Sequence, residues 1–209
     1  MRQVITASDV PARGEWHVPK DAVWTPSARD LARERGVKVV ETAEGDLPKA
    51  PADRTICIGS DHGGFRMKEF LKPVIESLHL TVHDAGVYEE KRADYPDIAE
   101  KVAGCVASGK VGRGIIVDGA GIGSAMVANK IPGIRAALCY DKASARNSRE
   151  HNNANVLTLG GRLLTESQAE EVVRTWLETP FAGGRHQARV DKIAAVERKH
   201  LKKNPEEQV

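Results

Sequence analysis

No apolar run in this sequence approaches the ~20 residues that a bilayer-crossing helix needs, and the N-terminus lacks a basic-then-apolar signal pattern. No membrane partner is expected, and the expected location is cytoplasmic. Neither sign of charge dominates: Lys+Arg 31 stand against Asp+Glu 29, a net charge of +2. That balance leaves no basic footprint for nucleic acid, so none is expected as a partner. Cysteine is scarce, and Cys57, Cys105 and Cys139 are odd in number, lack CxxC spacing and each lie in an apolar run. They read as reduced core thiols, not as a disulfide framework. Nucleotide fingerprints are missing too. In Gly119-Ala-Gly121-Ile-Gly123 the third glycine comes too early for a dinucleotide turn, and no Lys-Ser/Thr follows to make a phosphate loop of the nucleotide type.

What the chain does have is a strand, loop and helix pattern around that glycine run. The stretch from Arg113 to Lys130 opens on the β-branched Ile115-Ile116-Val117, breaks into three alternating glycines and continues with helical spacing. Glycines there remove the Cβ atoms that would keep an anion, or an oxyanion formed in a reaction, away from backbone amides. A tight strand-to-helix turn is the plainer alternative. Asp118 is the first polar residue at the carboxyl end of this strand, where open α/β sheets place their ligands. It is the first catalytic candidate.

Length allows one domain of about 150 residues and a smaller appendage. Residues 1–42 form that appendage. In it Thr25 caps and Pro26 opens a short helix over 26–35, Gly36 stops it, and Val37–Val40 reads as a strand. So small a piece buries little, and its tryptophans are expected to pack on the main domain, a neighbouring subunit or another protein. Residues 43–54, with two prolines, a glycine and no hydrophobic period, are a linker. From residue 55 to 209 strands and helices alternate, among them helices over Tyr95–Ala107, Lys142–Glu150 and Glu166–Glu178 and strands over Ile134–Tyr140 and Val156–Gly160, which predicts an α/β fold: a three-layer, Rossmann-like parallel sheet with helices on both faces. A last amphipathic helix from Gln187 to about Lys202, apolar at Val190, Ile193, Ala194 and Val196, is suited to a dimer partner.

Other polar residues fall at element ends. Asp61-His62-Gly63-Gly64 follows the first strand of the main domain, at the edge that carries Asp118; a capped helix start is the alternative. His151-Asn152-Asn153 sits where a helix gives way to a strand, and could equally be a helix stop with a left-handed asparagine. Arg185 and Arg189, four apart at the start of the last helix, share a face that suits a phosphate or two surface salt bridges.

Taken together, Gly59-Ser-Asp61-His62-Gly-Gly-Phe65, Asp94-Tyr95-Pro96-Asp97, Gly119-Ala-Gly121-Ile-Gly123, Ala128-Asn129-Lys130, Gly133-Ile-Arg135-Ala136, Arg149-Glu-His151-Asn152 and Gly184-Arg185-His186 resemble ribose-5-phosphate isomerase type B and its galactose-6-phosphate isomerase relatives. The resemblance implies an aldose–ketose isomerase of a linear sugar phosphate, working through a cis-enediolate without cofactor or metal, from a site built across a homodimer or a dimer of dimers. It implies that His151 opens the sugar ring and Asn152 contacts substrate. His62, Arg185 and Arg189 bind the phosphate with His186 beside them, and Asp61 and Tyr95 contact the sugar. The amides of Gly119, Ala120, Gly121, Ile122, Gly123 and Ser124 form the hole for the enediolate oxygen.

Two positions depart from the family. Where many members carry a base cysteine this chain has Asp118, and where another branch carries a base glutamate it has Ser124. Ala120 replaces a hydroxyl residue. A carboxylate can take a proton from a carbon next to a carbonyl, so Asp118 is expected to be the base; a silent sugar-phosphate binder or scaffold is the alternative. Within the appendage, Val18 to Val37 resembles a segment of proteins encoded with bacterial microcompartments. That implies shell or cargo partners, against the alternative of a dimer-stabilising arm.

Overall fold

The computed structural model describes residues 4–7, 10, 15–20, 22–42 and 54–201. The chain divides into two compact units, Met1–Ala50 and Pro51–Val209. In the first, β1 (Val4–Ile5) pairs in parallel with β3 (Val23–Trp24), and β2 (Glu15–Pro19) with β4 (Lys38–Thr42). Helix α1 (Pro26–Glu34) starts as the sequence predicts, with Thr25 Oγ1 accepting from the Ala28 amide at 3.3 Å, and the chain turns out of it at Gly36, φ +63°. Ile5, Val10, Val18, Ala28 and Ala32 make a small core, and Trp24 packs against it. The predicted linker, 43–53 in particular, lies outside the described residues.

The second unit runs β5 (Thr55–Ser60), α2 (Phe65–Glu76), β6 (Thr81–Asp84), α3 (Tyr95–Ala107), β7 (Arg113–Asp118), α4 (Ile122–Ala128), β8 (Ala136–Leu138), α5 (Lys142–Glu150), β9 (Val156–Gly160), α6 (Glu166–Glu178), a 3₁₀ turn at Gly184–His186 and α7 (Gln187–His200). Its five strands are parallel in the order β6-β5-β7-β9-β8. Strand side chains alternate between faces. Ile56, Ile58, Ile115, Val117, Leu157 and Leu159 meet Leu71 and Ile75 of α2, Ala145 of α5 and Trp176 of α6. Cys57, Ile116 and Val156 meet Ala99, Val102 and Val106 of α3 and Ala128 of α4. With both faces covered, the strands read as unbroken apolar runs. The expected strand Ile134–Tyr140 is shorter because Ile134 is still held in a turn, its amide donating to the Ile131 carbonyl at 3.2 Å.

The chain leaves β5 for β6 on one side and returns to β7 on the other, so a crevice opens at the carboxyl ends of β5 and β7. The turn after β5 lies directly on the end of β7: a Cβ on Gly64 would sit 2.1 Å from the Val117 carbonyl oxygen. Beside it, the fully buried Lys68 of α2 donates to both carboxylate oxygens of Asp84 at 2.8 Å and to the Val87 carbonyl at 2.7 Å.

Burial alone raises the Asp84 carboxyl, but the Lys68 ammonium, the Gly86 amide and Lys72 together hold it below its ordinary value. A carboxyl depressed in the folded state contributes stability that is full above its unfolded value, about pH 4, and lost as pH falls through the folded one. Asp84→Asn, which leaves the buried Lys68 ammonium with Glu69, 3.2 Å away, as its remaining counter-ion, should therefore destabilise the protein by about 2 kcal/mol at neutral pH. In urea titrations the gap to the parent should narrow as the pH falls below about 4, and a gap independent of pH contradicts this account.

Candidate active site

Asp118 ends β7 and is buried, and its carboxylate is ringed by its own loop. One oxygen accepts from the amides of Ala120, at 2.8 Å, and Gly121; the other accepts from the Ser124 amide at 3.1 Å and from the Ser124 hydroxyl. An ionised carboxylate has about four lone-pair sites, so these four donors fill it. Gly121 takes a left-handed φ of +77° to aim its amide this way. Three of the amides expected to hold an enediolate oxygen, those of Ala120, Gly121 and Ser124, are thus bonded to Asp118 itself. For Asp118 to take a carbon-bound proton, a substrate oxygen has to replace it on at least one donor.

Around that loop stand the other carboxyl-edge residues. Asp61 is buried, with Oδ1 accepting from the Gly64 amide at 2.9 Å; it closes the turn before α2, whose start at Gly64 has no side-chain cap. His62 Nδ1 lies 3.2 Å from the Ala93 carbonyl oxygen and 3.5 Å from the Ala93 amide nitrogen, two contacts that hold the ring in place. The Tyr95 ring rests on Gly123, where a Cβ would come within 2.5–2.9 Å of Cε2, Cζ and the hydroxyl. Gly119 and Ile122 complete the rim, Ile122 with its side chain exposed. Ala120 offers no side-chain donor, but its carbonyl accepts from the Tyr140 hydroxyl at 3.2 Å.

His151, Asn152, Arg185, His186 and Arg189 lie elsewhere. Helix α5 runs back from the carboxyl edge, and His151 caps its end just before β9, whose Val156 pairs with Gly114 at the start of β7. That is the amino edge of the sheet. The rings of His151 and His186 stack there, centroids 4.2 Å apart and 6° from parallel. His151 Nδ1 accepts from the Asn147 side-chain amide at 2.9 Å. His186 is held below its ordinary pKa by burial first, then by the His151 ring and by Arg185 and Arg189. Arg185 lies in the 3₁₀ turn and Arg189 in the first turn of α7, so the expected helical face is made by a turn and a helix together; both side chains are exposed, as is Asn152. Asn153 takes the left-handed turn, φ 47°, and Arg149 ties that turn down by donating to its side chain at 3.2 Å. The residues expected to form one site therefore fall into two groups at opposite edges of the sheet.

Comparison with known proteins gives these groups a frame. The ribose/galactose isomerase family matches residues 56–193. The chain belongs to that family. Ribose-5-phosphate isomerase B of Escherichia coli is 40% identical over 146 residues, 70% of this chain and 98% of that protein. The D-erythrulose-4-phosphate isomerase of Pectobacterium atrosepticum is 39% identical over 145 residues, 68% of this chain and 95% of that one. The structure of Clostridium thermocellum ribose-5-phosphate isomerase B superposes with a TM-score of 0.68 at 46% identity, covering 70% of this chain and 99% of that one. Among the described residues no helix is long and apolar enough to cross a membrane.

Two residues of this isomerase-family fold stand at the carboxyl edge without having been singled out in the sequence. Arg162 follows β9, its Nε 3.3 Å from where a Cβ on Gly63 would be and its Cδ 3.7 Å from the same point on Gly119. Tyr140 follows β8. The rule that found Asp118, the first polar side chains past a parallel strand, marks both.

If the Asp118 carboxylate is what shapes the loop, Ser124→Ala should cost about 1–3 kcal/mol, because it removes a buried donor to a buried charge. Thermal melting checks this: a drop of several degrees is expected, and an unchanged midpoint contradicts the role.

Proposed function

We propose that the protein is an aldose–ketose isomerase of a linear phosphorylated sugar, acting through a cis-enediolate, with ribose 5-phosphate and ribulose 5-phosphate as the first pair to consider. A tetrose phosphate is the next candidate, since one relative is named for D-erythrulose 4-phosphate. The observation that carries the reading is the buried carboxylate at the end of β7, surrounded by amides of the kind an enediolate oxygen needs. On this proposal, substrate oxygen takes over part of that amide set, and the lone pair so freed on Asp118 moves the proton between C1 and C2. Asp61 and Tyr95 hold the sugar. His151 opens the ring with Asn152 beside it, and His62, Arg185 and Arg189 hold the phosphate together with His186. No cofactor is invoked.

We further propose a homodimer in which the amino-edge half of one copy completes the carboxyl-edge half of the other. Exposed apolar side chains support such pairing: Ile122 and Met126 on α4, and Ile193 and Val196 on α7. Asp118→Asn and His151→Ala should each be inactive alone. Mixed and refolded together they should regain roughly a quarter of parental turnover, since half the dimers are mixed and one site in each is intact. Failure of the mixture to recover contradicts the shared site. The substrate is tested by following ketose formation from four-, five- and six-carbon aldose phosphates; the reading fails if none reacts.

The saturated Asp118 carboxylate favours a second reading, a sugar-phosphate binder without turnover. Residues 1–42 we propose as a module for association with microcompartment shell or cargo proteins, with a dimer arm as the alternative. A small core of its own, outside the length shared with the relatives, supports an added module. A chain starting near Asp53 should keep isomerase activity and its oligomeric state while losing assembly with shell proteins; loss of the dimer instead supports the arm.

A further inference from the structure

Among the described residues, one group of potential metal ligands stands out, and the sugar site does not use it. Cys57 of β5, His83 of β6 and Cys105 of α3 bring two Sγ atoms and an imidazole nitrogen within 4.8 Å of one another. The fold explains the convergence. Parallel pairing sets Cys57 directly beside His83, and neighbours in register on adjacent strands project from the same face of the sheet. Helix α3 crosses that face, and Cys105 packs against the cluster that contains Cys57. Burial is graded, with Cys57 fully enclosed, Cys105 half-buried and His83 exposed on the edge strand, so the group has an inner wall and an open mouth.

We infer that Cys57, His83 and Cys105 form a binding site for a thiolate-seeking divalent cation, zinc above all, with a fourth position open to solvent. Two sulfurs and one imidazole nitrogen are a soft donor set that suits zinc and does not suit magnesium or calcium. Tetrahedral zinc with Zn–S of about 2.3 Å and Zn–N of about 2.0 Å separates its ligand atoms by about 3.5–3.8 Å. A spread of 4.8 Å closes to that by side-chain rotation. Lys101, a turn before Cys105 on α3, is tethered by donating to the Ala85 carbonyl at 2.6 Å.

The site is separate from the sugar edge. Helix α3 starts with Tyr95 on Gly123 and reaches Cys105 ten residues later, about 15 Å along its axis toward the amino edge. A cation there joins the edge strand β6 and helix α3 to β5, so it should stabilise the folded chain by mass action.

The test uses the full chain, reduced with a phosphine and stripped of metal. Titration with Co²⁺ should give one equivalent of bound ion with a sulfur-to-cobalt charge-transfer band and the visible bands of a tetrahedral site. Zn²⁺ should displace it and raise Tm. His83→Ala, at an exposed position that leaves the core intact, and Cys105→Ser should each weaken binding on the order of tenfold or more and abolish the rise in Tm, whereas Cys139→Ser should bind as the parent does. The inference is overturned if the parent shows no thiolate-to-cobalt band, or if His83→Ala and Cys105→Ser bind Co²⁺ as the parent does.

Discussion

The loop after β7 is closed on itself by one carboxylate, and the chemistry available at this edge of the sheet depends on that closure. Asp118 sits where strand gives way to loop, and every acceptor site it has is taken by a donor from the six residues that follow. A buried anion with four donors fixes the turn tightly. It also occupies the donors that a reaction intermediate would use. On the proposed mechanism, isomerisation on this loop is a matter of exchange, in which a substrate oxygen and the carboxylate trade places on the same amides.

The surrounding fold exists to set up that edge. Strand order β6-β5-β7-β9-β8 puts the crevice between β5 and β7, and the Gly64 turn rests on the Val117 carbonyl with no room for a side chain. The Lys68–Asp84 pair anchors the segment after β6 next to the same crevice. Returning helices carry His151 and His186 to the far edge, where their stacked rings stand beside two exposed arginines. On the proposed assignment of these residues, a complete site needs a second copy of the chain.

Much of this was legible in the sequence, because parallel strands buried on both faces leave unbroken β-branched runs, and helices between them carry sharp caps. Helices α3, α5 and α6 and strand β9 fall on the residues that the pattern predicts. Sequence periodicity gave no warning that Asp118 bonds its own loop, since that depends on the left-handed turn at Gly121 and on the hydroxyl of Ser124 pointing inward. It was equally silent on which edge each polar residue reaches: Asp61 and His151 both follow an element end, yet one ends a strand and the other a helix running the opposite way. Arg162 and Tyr140 follow strands and were within reach of the rule that found Asp118.

The account turns on whether Asp118 moves a proton. The direct measurement is exchange of the C2 proton of bound ribose 5-phosphate with solvent deuterium, followed by NMR alongside calorimetric binding, in the parent and in Asp118→Asn. The account predicts exchange in the parent and a fall on the order of 10² to 10⁴ in Asp118→Asn with binding largely retained. Binding without exchange in the parent, or exchange within a few-fold of the parent in Asp118→Asn, contradicts it.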